Sequence, residues 1–75
     1  MQTLIHLYNG EAGPNAKHVF VDDVGGDTPF QVRIQEGHEA SRVLRRTNSA
    51  EAAIARAREL VAEAGGEWYE PGAAA

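Results

Sequence analysis

The 75-residue chain contains no cysteine, so neither disulfide bonds nor thiolate metal sites can stabilise it. It also lacks a run of about 18 consecutive apolar residues, the length that a membrane-spanning helix requires. Residues 1–6 have neither the basic segment nor the long apolar stretch of a secretory signal. These absences are compatible with a reducing compartment, and we expect a cytoplasmic protein that does not associate with a membrane.

Basic residues are scarce, because seven Lys and Arg stand against eleven Asp and Glu, and the net charge is −4. This shortage argues against indiscriminate binding to nucleic-acid phosphates. With 43% hydrophobic and 24% charged residues, the composition is that of a folded globular protein. We expect a single domain over residues 1–71, and a frayed tail or cloning remnant at residues 72–75.

Alternating or β-branched segments predict four strands, at residues 3–8, 17–24, 30–35 and 39–46. The first segment is largely apolar or amphipathic on both faces, which predicts a central place in the sheet. The third alternates apolar with polar residues, which predicts one core face and one wet face. In the fourth, Val43 and Leu44 are adjacent, so the register is ambiguous and a bulge would resolve it.

One apolar stripe predicts a helix in the second half of the chain. The residues of this stripe recur at helical spacing: Ala53, Ile54, Ala57, Leu60, Val61 and Ala64. Asn48 is placed to cap the helix, and Glu51 to complete a capping box. Gly65-Gly66 would end it, and residues 67–70 predict a short returning strand. The predicted fold class is α+β: a small antiparallel sheet of four to five strands with the helix packed on one face, in the order β-β-β-β-α-β.

The sequence carries no pattern typical of catalysis or of cofactor binding. His6, His18 and His38 are too far apart for a helical metal pair, and we interpret the first two as strand residues that lie near each other across a hairpin. Gly25-Gly26 lacks the spacing of phosphate-binding loops. Neither serine has the glycine-flanked turn that presents a nucleophile. We therefore expect no enzyme, no cofactor and no metal.

An acidic cluster is one candidate for a functional site. Asp22, Asp23 and Asp27 surround the glycine turn between the second and third predicted strands. Long-range attraction of such a cluster to a basic partner would raise the association rate. The structural alternative is a hydrated turn without a partner.

Arginines on the sheet are the other candidate. Arg33 is predicted on the wet face of the third strand, and whichever of Arg42, Arg45 and Arg46 share that face would form a row of guanidinium groups. The structural alternative is a solvated face whose charges protect the sheet edge. Trp68 and Tyr69 would either close the core or anchor a partner. The candidate partner-binding residues are thus Asp22, Asp23, Asp27, Arg33 and Arg45.

Three segments of the chain resemble a family of short bacterial domains of unknown function. They are His18-Val19, Phe30-x-Val32, and Ala40-Ser41-Arg42-Val43 leading through Thr47 into Ala50–Glu59. The resemblance covers residues 18–70 and implies strands, one helix and a final strand. It implies no activity and no site residue.

In character the chain is similar to phage-encoded inhibitors of bacterial defence, including anti-CRISPR proteins, which are short, acidic and free of catalytic motifs. That similarity implies an acidic surface that blocks a nucleic-acid groove. Our leading hypothesis is a non-catalytic protein-binding module, an inhibitor that binds a protein or nucleoprotein complex as a monomer or homodimer. Two alternatives stay open: a weak nucleic-acid-binding domain that uses the arginines, and a housekeeping module that dimerises through a sheet edge.

Overall fold

The computed structural model describes residues 1–71, so the tail predicted at residues 72–75 lies outside the described residues. One antiparallel sheet contains the strands in chain order: β1 (Gln2–Tyr8), β2 (Lys17–Asp23), β3 (Phe30–Glu36) and β4 (Arg42–Thr47). The helix α1 (Ala50–Ala64) follows and packs against one face of the sheet. The predicted α+β class, with a helix on one face, is confirmed.

The core lies between α1 and the sheet. Its buried members are Leu7, Val19, Val21 and Val32 from the strands and Ala53 and Ala57 from the helix. The two alanines let α1 approach the valines closely, because a helix packs nearest where its side chains are small. Ile54, Leu60 and Val61 of the predicted stripe are half-buried, whereas Ala64 is exposed. In the part of the chain described, no helix is both long and apolar enough to cross a membrane.

β1 is an edge strand, so the predicted central position was wrong. It pairs along its length with β2, and on its other side it makes one bridge within residues 1–71, between Tyr8 and Tyr69. The two backbone hydrogen bonds of this bridge measure 2.9 and 2.8 Å. Up to residue 71, the returning strand predicted at residues 67–70 consists of this bridge alone. Both faces of β1 are apolar or amphipathic because side chains also pack together on the sheet face opposite α1.

A bulge in β4 decides which of its residues share a face. Arg45 pairs with Val32, and Val43 pairs with Arg33, so Leu44 is an extra residue in β4. Directly paired residues of antiparallel strands project to the same face. Val43 therefore projects to the face opposite α1, and Arg45 to the α1 side. This agrees with the bulge that the adjacent Val43 and Leu44 suggested.

The cap of α1 is Ser49, which corrects the prediction of Asn48. The Ser49 hydroxyl accepts a hydrogen bond from the Ala52 N–H at 3.1 Å, and Thr47 Oγ1 accepts one from the Ser49 N–H at 3.2 Å. Pairing of Thr47 with Phe30 keeps the chain in β4 one residue beyond the predicted end. Ser49 has the extended conformation that a cap requires, and the helix begins at the next residue.

Replacing the cap tests this boundary. Ser49→Ala should lower the free energy of unfolding by about 1 kcal/mol, because an amide of the first helical turn loses its acceptor. Asn48→Ala is the matched control and should change it by no more than about 0.5 kcal/mol, since Asn48 is exposed. Urea denaturation measures both changes. A larger loss for Asn48→Ala than for Ser49→Ala would contradict the assignment.

Candidate functional site

The sheet face opposite α1, here called the open face, has no layer packed on it within residues 1–71. Strand pairing places eleven residues on it: Thr3, His6, Tyr8, His18, Phe20, Asp22, Gln31, Arg33, Gln35, Val43 and Arg46. Thr3, Val43 and Arg46 are exposed, whereas the other eight are buried or half-buried. These eight exclude water by packing against one another, and the open face is therefore an ordered surface.

Five flat groups form a column across the open face, in the order Tyr8, His18, His6, Phe20 and Arg33. The ring centroids are 4.6, 5.0 and 4.4 Å apart along the column, and the guanidinium carbon of Arg33 lies 4.0 Å from the centre of the Phe20 ring. These distances are close to the ~4.8 Å separation of neighbouring strands, because the groups come from adjacent strands. Tyr8 and His18 therefore cover each other's faces, and so do His6 and Phe20. The two histidines meet edge to edge, because their ring nitrogens lie within hydrogen-bond distance.

A buried carboxylate fixes the cationic end of the column. Asp22 is 0% exposed and accepts hydrogen bonds from Thr3 Oγ1 at 2.9 Å, Gln31 Nε2 at 2.8 Å, and Arg33 Nε and Nη2 at 2.8 and 3.2 Å. No protein layer covers Asp22 within residues 1–71, so these partners themselves exclude water from it. The paired nitrogens of Arg33 hold its guanidinium in place over Phe20. Arg33 is thus rigid before any partner arrives.

A second bulge, in β1, completes the Asp22 site. Thr3 pairs with Asp22 and Ile5 with Val21, so Leu4 is an extra residue. In a regular strand Thr3 would lie on the same side as Ile5, towards α1. The bulge moves Thr3 to the open face, where its hydroxyl donates to Asp22.

The Asp22 carboxyl is charged at neutral pH. Burial by itself raises its pKa, but hydrogen bonds from Arg33, Gln31 and Thr3, together with the charge of Arg33, outweigh burial. The pKa of Asp22 therefore lies below the ordinary value of 3.8. The result is a compensated ion pair, and neither charge is free to attract a distant partner.

The two histidines of the column are hydrogen-bonded to each other. His6 Nε2 lies 2.8 Å from His18 Nδ1, so one of these nitrogens carries the hydrogen and the other accepts it. If both of these nitrogens carried a hydrogen, neither could accept, and the hydrogen bond between the two rings would be lost. Burial, followed by the charges of His18 and Arg33, lowers the pKa of His6 below 6.5. The column is therefore built around an uncharged His6.

The structure scatters the five residues predicted to bind a partner. Asp22 and Arg33 are brought together, but as each other's partners. Asp23 is half-buried and accepts a hydrogen bond from the Gly25 N–H at 3.1 Å, while Asp27 is exposed in the β2–β3 loop. Arg45 lies on the α1 side of the sheet. The acidic cluster is thus one buried anion, one residue at the end of β2 and one loop residue.

The row of arginines on the wet face does not form as the alternation suggested. Arg46 shares the open face with Arg33, whereas Arg42 and Arg45 pair with helix-side residues of β3 and lie on the other side. The guanidinium of Arg46 donates to the Thr28 carbonyl at 3.1 and 3.3 Å. The positive charge of β4 is divided between the two faces.

The aromatic column is the feature that sequence reasoning missed. His6 and His18 do lie near each other across the β1–β2 hairpin, as interpreted, but their stacking with Tyr8 and Phe20 was not foreseen. Its signal was present: rings at alternate positions of two segments joined by one loop. Rings at paired positions of neighbouring antiparallel strands contact one another. Within residues 1–71 no group of three or more potential ligands is placed to hold a metal ion.

Comparison with known proteins yields no relative: the chain matches no family model, no curated protein and no solved structure. The resemblance of residues 18–70 to short bacterial domains is neither supported nor contradicted by this result and stays a prediction.

Neutralising Asp22 tests the ion pair. Asp22→Asn should lower the free energy of unfolding at pH 7 by about 2–4 kcal/mol, because a mostly buried guanidinium loses its counter-charge. Asp23→Asn is the matched control and should change it by less than about 0.5 kcal/mol, since Asn can still accept from the Gly25 N–H.

The pH dependence of the same variants gives a second measurement. The folded-state pKa of Asp22 is lowered, so its contribution is present above the unfolded value of 3.8 and is lost as the pH falls through the folded value. Between about pH 5 and pH 3, the free energy of unfolding measured by urea denaturation should therefore fall less for Asp22→Asn than for the wild type. Equal losses in both proteins would contradict the ion pair.

Protonation of His6 should lower the stability of the protein. The folded-state pKa of His6 lies below 6.5, so the stability that depends on neutral His6 is present above pH 6.5 and is lost as the pH falls towards the folded value. The melting temperature should decline over this window in the wild type and in the control His38→Gln, and less in His6→Phe. NMR of the His6 ring should give a midpoint below 6.5, and a midpoint above it would refute the assignment.

Proposed function

We propose that this chain is a non-catalytic protein-binding module and that the open face of the sheet is its contact surface. The observation that carries the proposal is the column of stacked rings ending in a fixed arginine, on a face that has no covering layer in the described structure. The surface extends over β1, β2 and β3. Such a surface suits a partner that lies across several strands.

The chemistry of the column is that of protein interfaces. Tyr and Arg are enriched among residues that dominate binding energies, and they act best where neighbours exclude water. Here the Asp22 pair fixes Arg33, and stacking fixes Tyr8 and the histidines. Binding would therefore cost little side-chain entropy, since these groups are ordered beforehand.

The same geometry gives less support to the nucleic-acid alternative. Single-stranded nucleic acids stack their bases on exposed aromatic faces, whereas each of the four rings here has one face covered by a neighbouring ring. On the open face Arg33 is already paired with Asp22, which leaves Arg46 as the cation without a carboxylate partner among the described residues. The net charge of −4 also disfavours binding to nucleic-acid phosphates.

As a narrower proposal, the partner is a nucleoprotein complex of bacterial defence, and the chain is an inhibitor of the kind that phages encode, acting in the cytoplasm. Its support is the net charge of −4, the exposed Asp27 and the similarity in character to short acidic inhibitors. If so, the captured partner should be a subunit that binds nucleic acid, and its nucleic acid should compete with this chain.

A pair of charge-matched variants tests the contact surface. Gln35→Lys places a cation in the open face, opposite His18, whereas Ala55→Lys places one on the exposed side of α1. In affinity capture from lysate of the native host, quantified by mass spectrometry, the partner should be retained by wild type and Ala55→Lys and lost with Gln35→Lys. Thermal melts verify that both variants fold.

Two results would refute the open-face assignment. Retention of the same partner by Gln35→Lys would place the contact elsewhere on the chain. Equal loss with both variants would mean that the net charge, rather than this face, governs binding.

A further inference from the structure

The outer edge of β4 carries unpaired backbone groups. β4 bonds to β3 along one side, and residues 42–47 make no backbone hydrogen bond to any other described segment. In an antiparallel strand alternate residues turn N–H and C=O away from the neighbour. Arg42 to Arg46 are all exposed, including Val43 at 47% and Leu44 at 44%. The edge is therefore accessible to another extended chain.

The charge of this edge is positive and is not balanced within the strand. Arg42, Arg45 and Arg46 are its charged residues, and β4 contains no carboxylate. Arg42 makes one loose, exposed ion pair, with Glu36 at 3.7 Å. Arg45 makes none with the described residues. In a chain of net charge −4, this local excess would attract an acidic segment.

An apolar cleft reaches the same edge. Leu44, the bulged residue of β4, lines it together with Ile34 from β3 and Leu60 and Trp68 beyond the sheet. Lys17 and Glu36, of opposite charge, also line it. Its volume is about 140 Å³. Because Leu44 belongs to the edge strand, an apolar side chain from an added strand could enter beside it. The edge thus offers backbone partners, cations and one apolar contact.

We propose that β4 binds an extended acidic segment of a partner protein as a fifth strand, with its carboxylates against Arg42, Arg45 and Arg46 and an apolar side chain at Leu44. Addition of a strand in this way uses backbone hydrogen bonds for affinity and side-chain contacts for specificity. A second copy of the chain fits poorly, because two β4 strands would bring six guanidinium groups together with no carboxylate from either strand. This proposal does not depend on the one made for the open face, although Arg46 belongs to both surfaces.

Selection from a random peptide display library on the immobilised protein supplies a peptide probe for this edge. The enriched peptides should combine Glu or Asp with alternating apolar residues. NMR of the labelled protein with the best synthetic peptide should show shifts and slowed amide exchange confined to residues 42–47 and the cleft. A lack of enriched peptides, or enrichment of basic or neutral ones, would overturn the proposal.

Two matched comparisons separate strand addition from general attraction. N-methylation of one alternate set of peptide residues should abolish binding, because it removes the backbone donors that face β4 and leaves the charges intact, whereas N-methylation of the other set should not. The double variant Arg42→Ala and Arg45→Ala should weaken binding about tenfold, whereas Arg58→Ala on α1 should not. Gln35→Lys should also have no effect, which distinguishes this surface from the open face.

Three other outcomes would contradict the inference. Binding that survives N-methylation of each alternate set in turn would exclude strand addition. A concentration-dependent dimer, seen by sedimentation and protecting the β4 amides, would make a second copy the occupant. Displacement of the peptide by a single-stranded oligonucleotide that protects the same amides would make the edge a phosphate site. Thermal melts of the variants establish that any loss of binding occurs in the folded protein.

Discussion

The pairing of Asp22 with Arg33 organises the side of the sheet that α1 leaves uncovered. A carboxylate without solvent contact requires several donors, and Thr3, Gln31 and Arg33 supply them from neighbouring strands. This requirement fixes Arg33 over one face of Phe20, and His6 stacks on Phe20 as the next member of the column. The buried core contains only six hydrophobic residues among those described, so the polar side must also be well ordered for the sheet to hold its shape.

Two bulges determine which residues of the edge strands lie on this polar face and which lie on the core side. Extra residues at Leu4 and Leu44 shift the alternation, so Thr3 reaches Asp22 and Arg45 moves to the α1 side. Bulges commonly occur at sheet edges, where they change the direction of side chains and interrupt pairing. Both edge strands of this sheet have one. The bulge in β4 also places Leu44 at the cleft, so the same irregularity shapes the site proposed for an acidic strand.

The two proposed surfaces differ in the energy that would drive binding. The open face presents pre-ordered rings and one fixed cation, so its contribution would come from burying the column. The β4 edge presents backbone groups and unbalanced cations, so its contribution would come from strand pairing and would weaken with salt. A single partner could use both, because Val43 and Arg46 belong to the open face and to β4.

The sequence by itself determined the α+β class, the positions of four strands, the helix and its apolar stripe. These features follow from local periodicity, to which residues near in sequence contribute. Only the tertiary structure decided that β1 is an edge strand, that Ser49 caps α1, and that the arginines of β4 lie on both faces. It also decided that Asp22 is buried against Arg33 rather than exposed in an acidic cluster. Each of these depends on strand order and register, which join residues distant in the chain, and a one-residue shift of register reverses the face that every later side chain occupies.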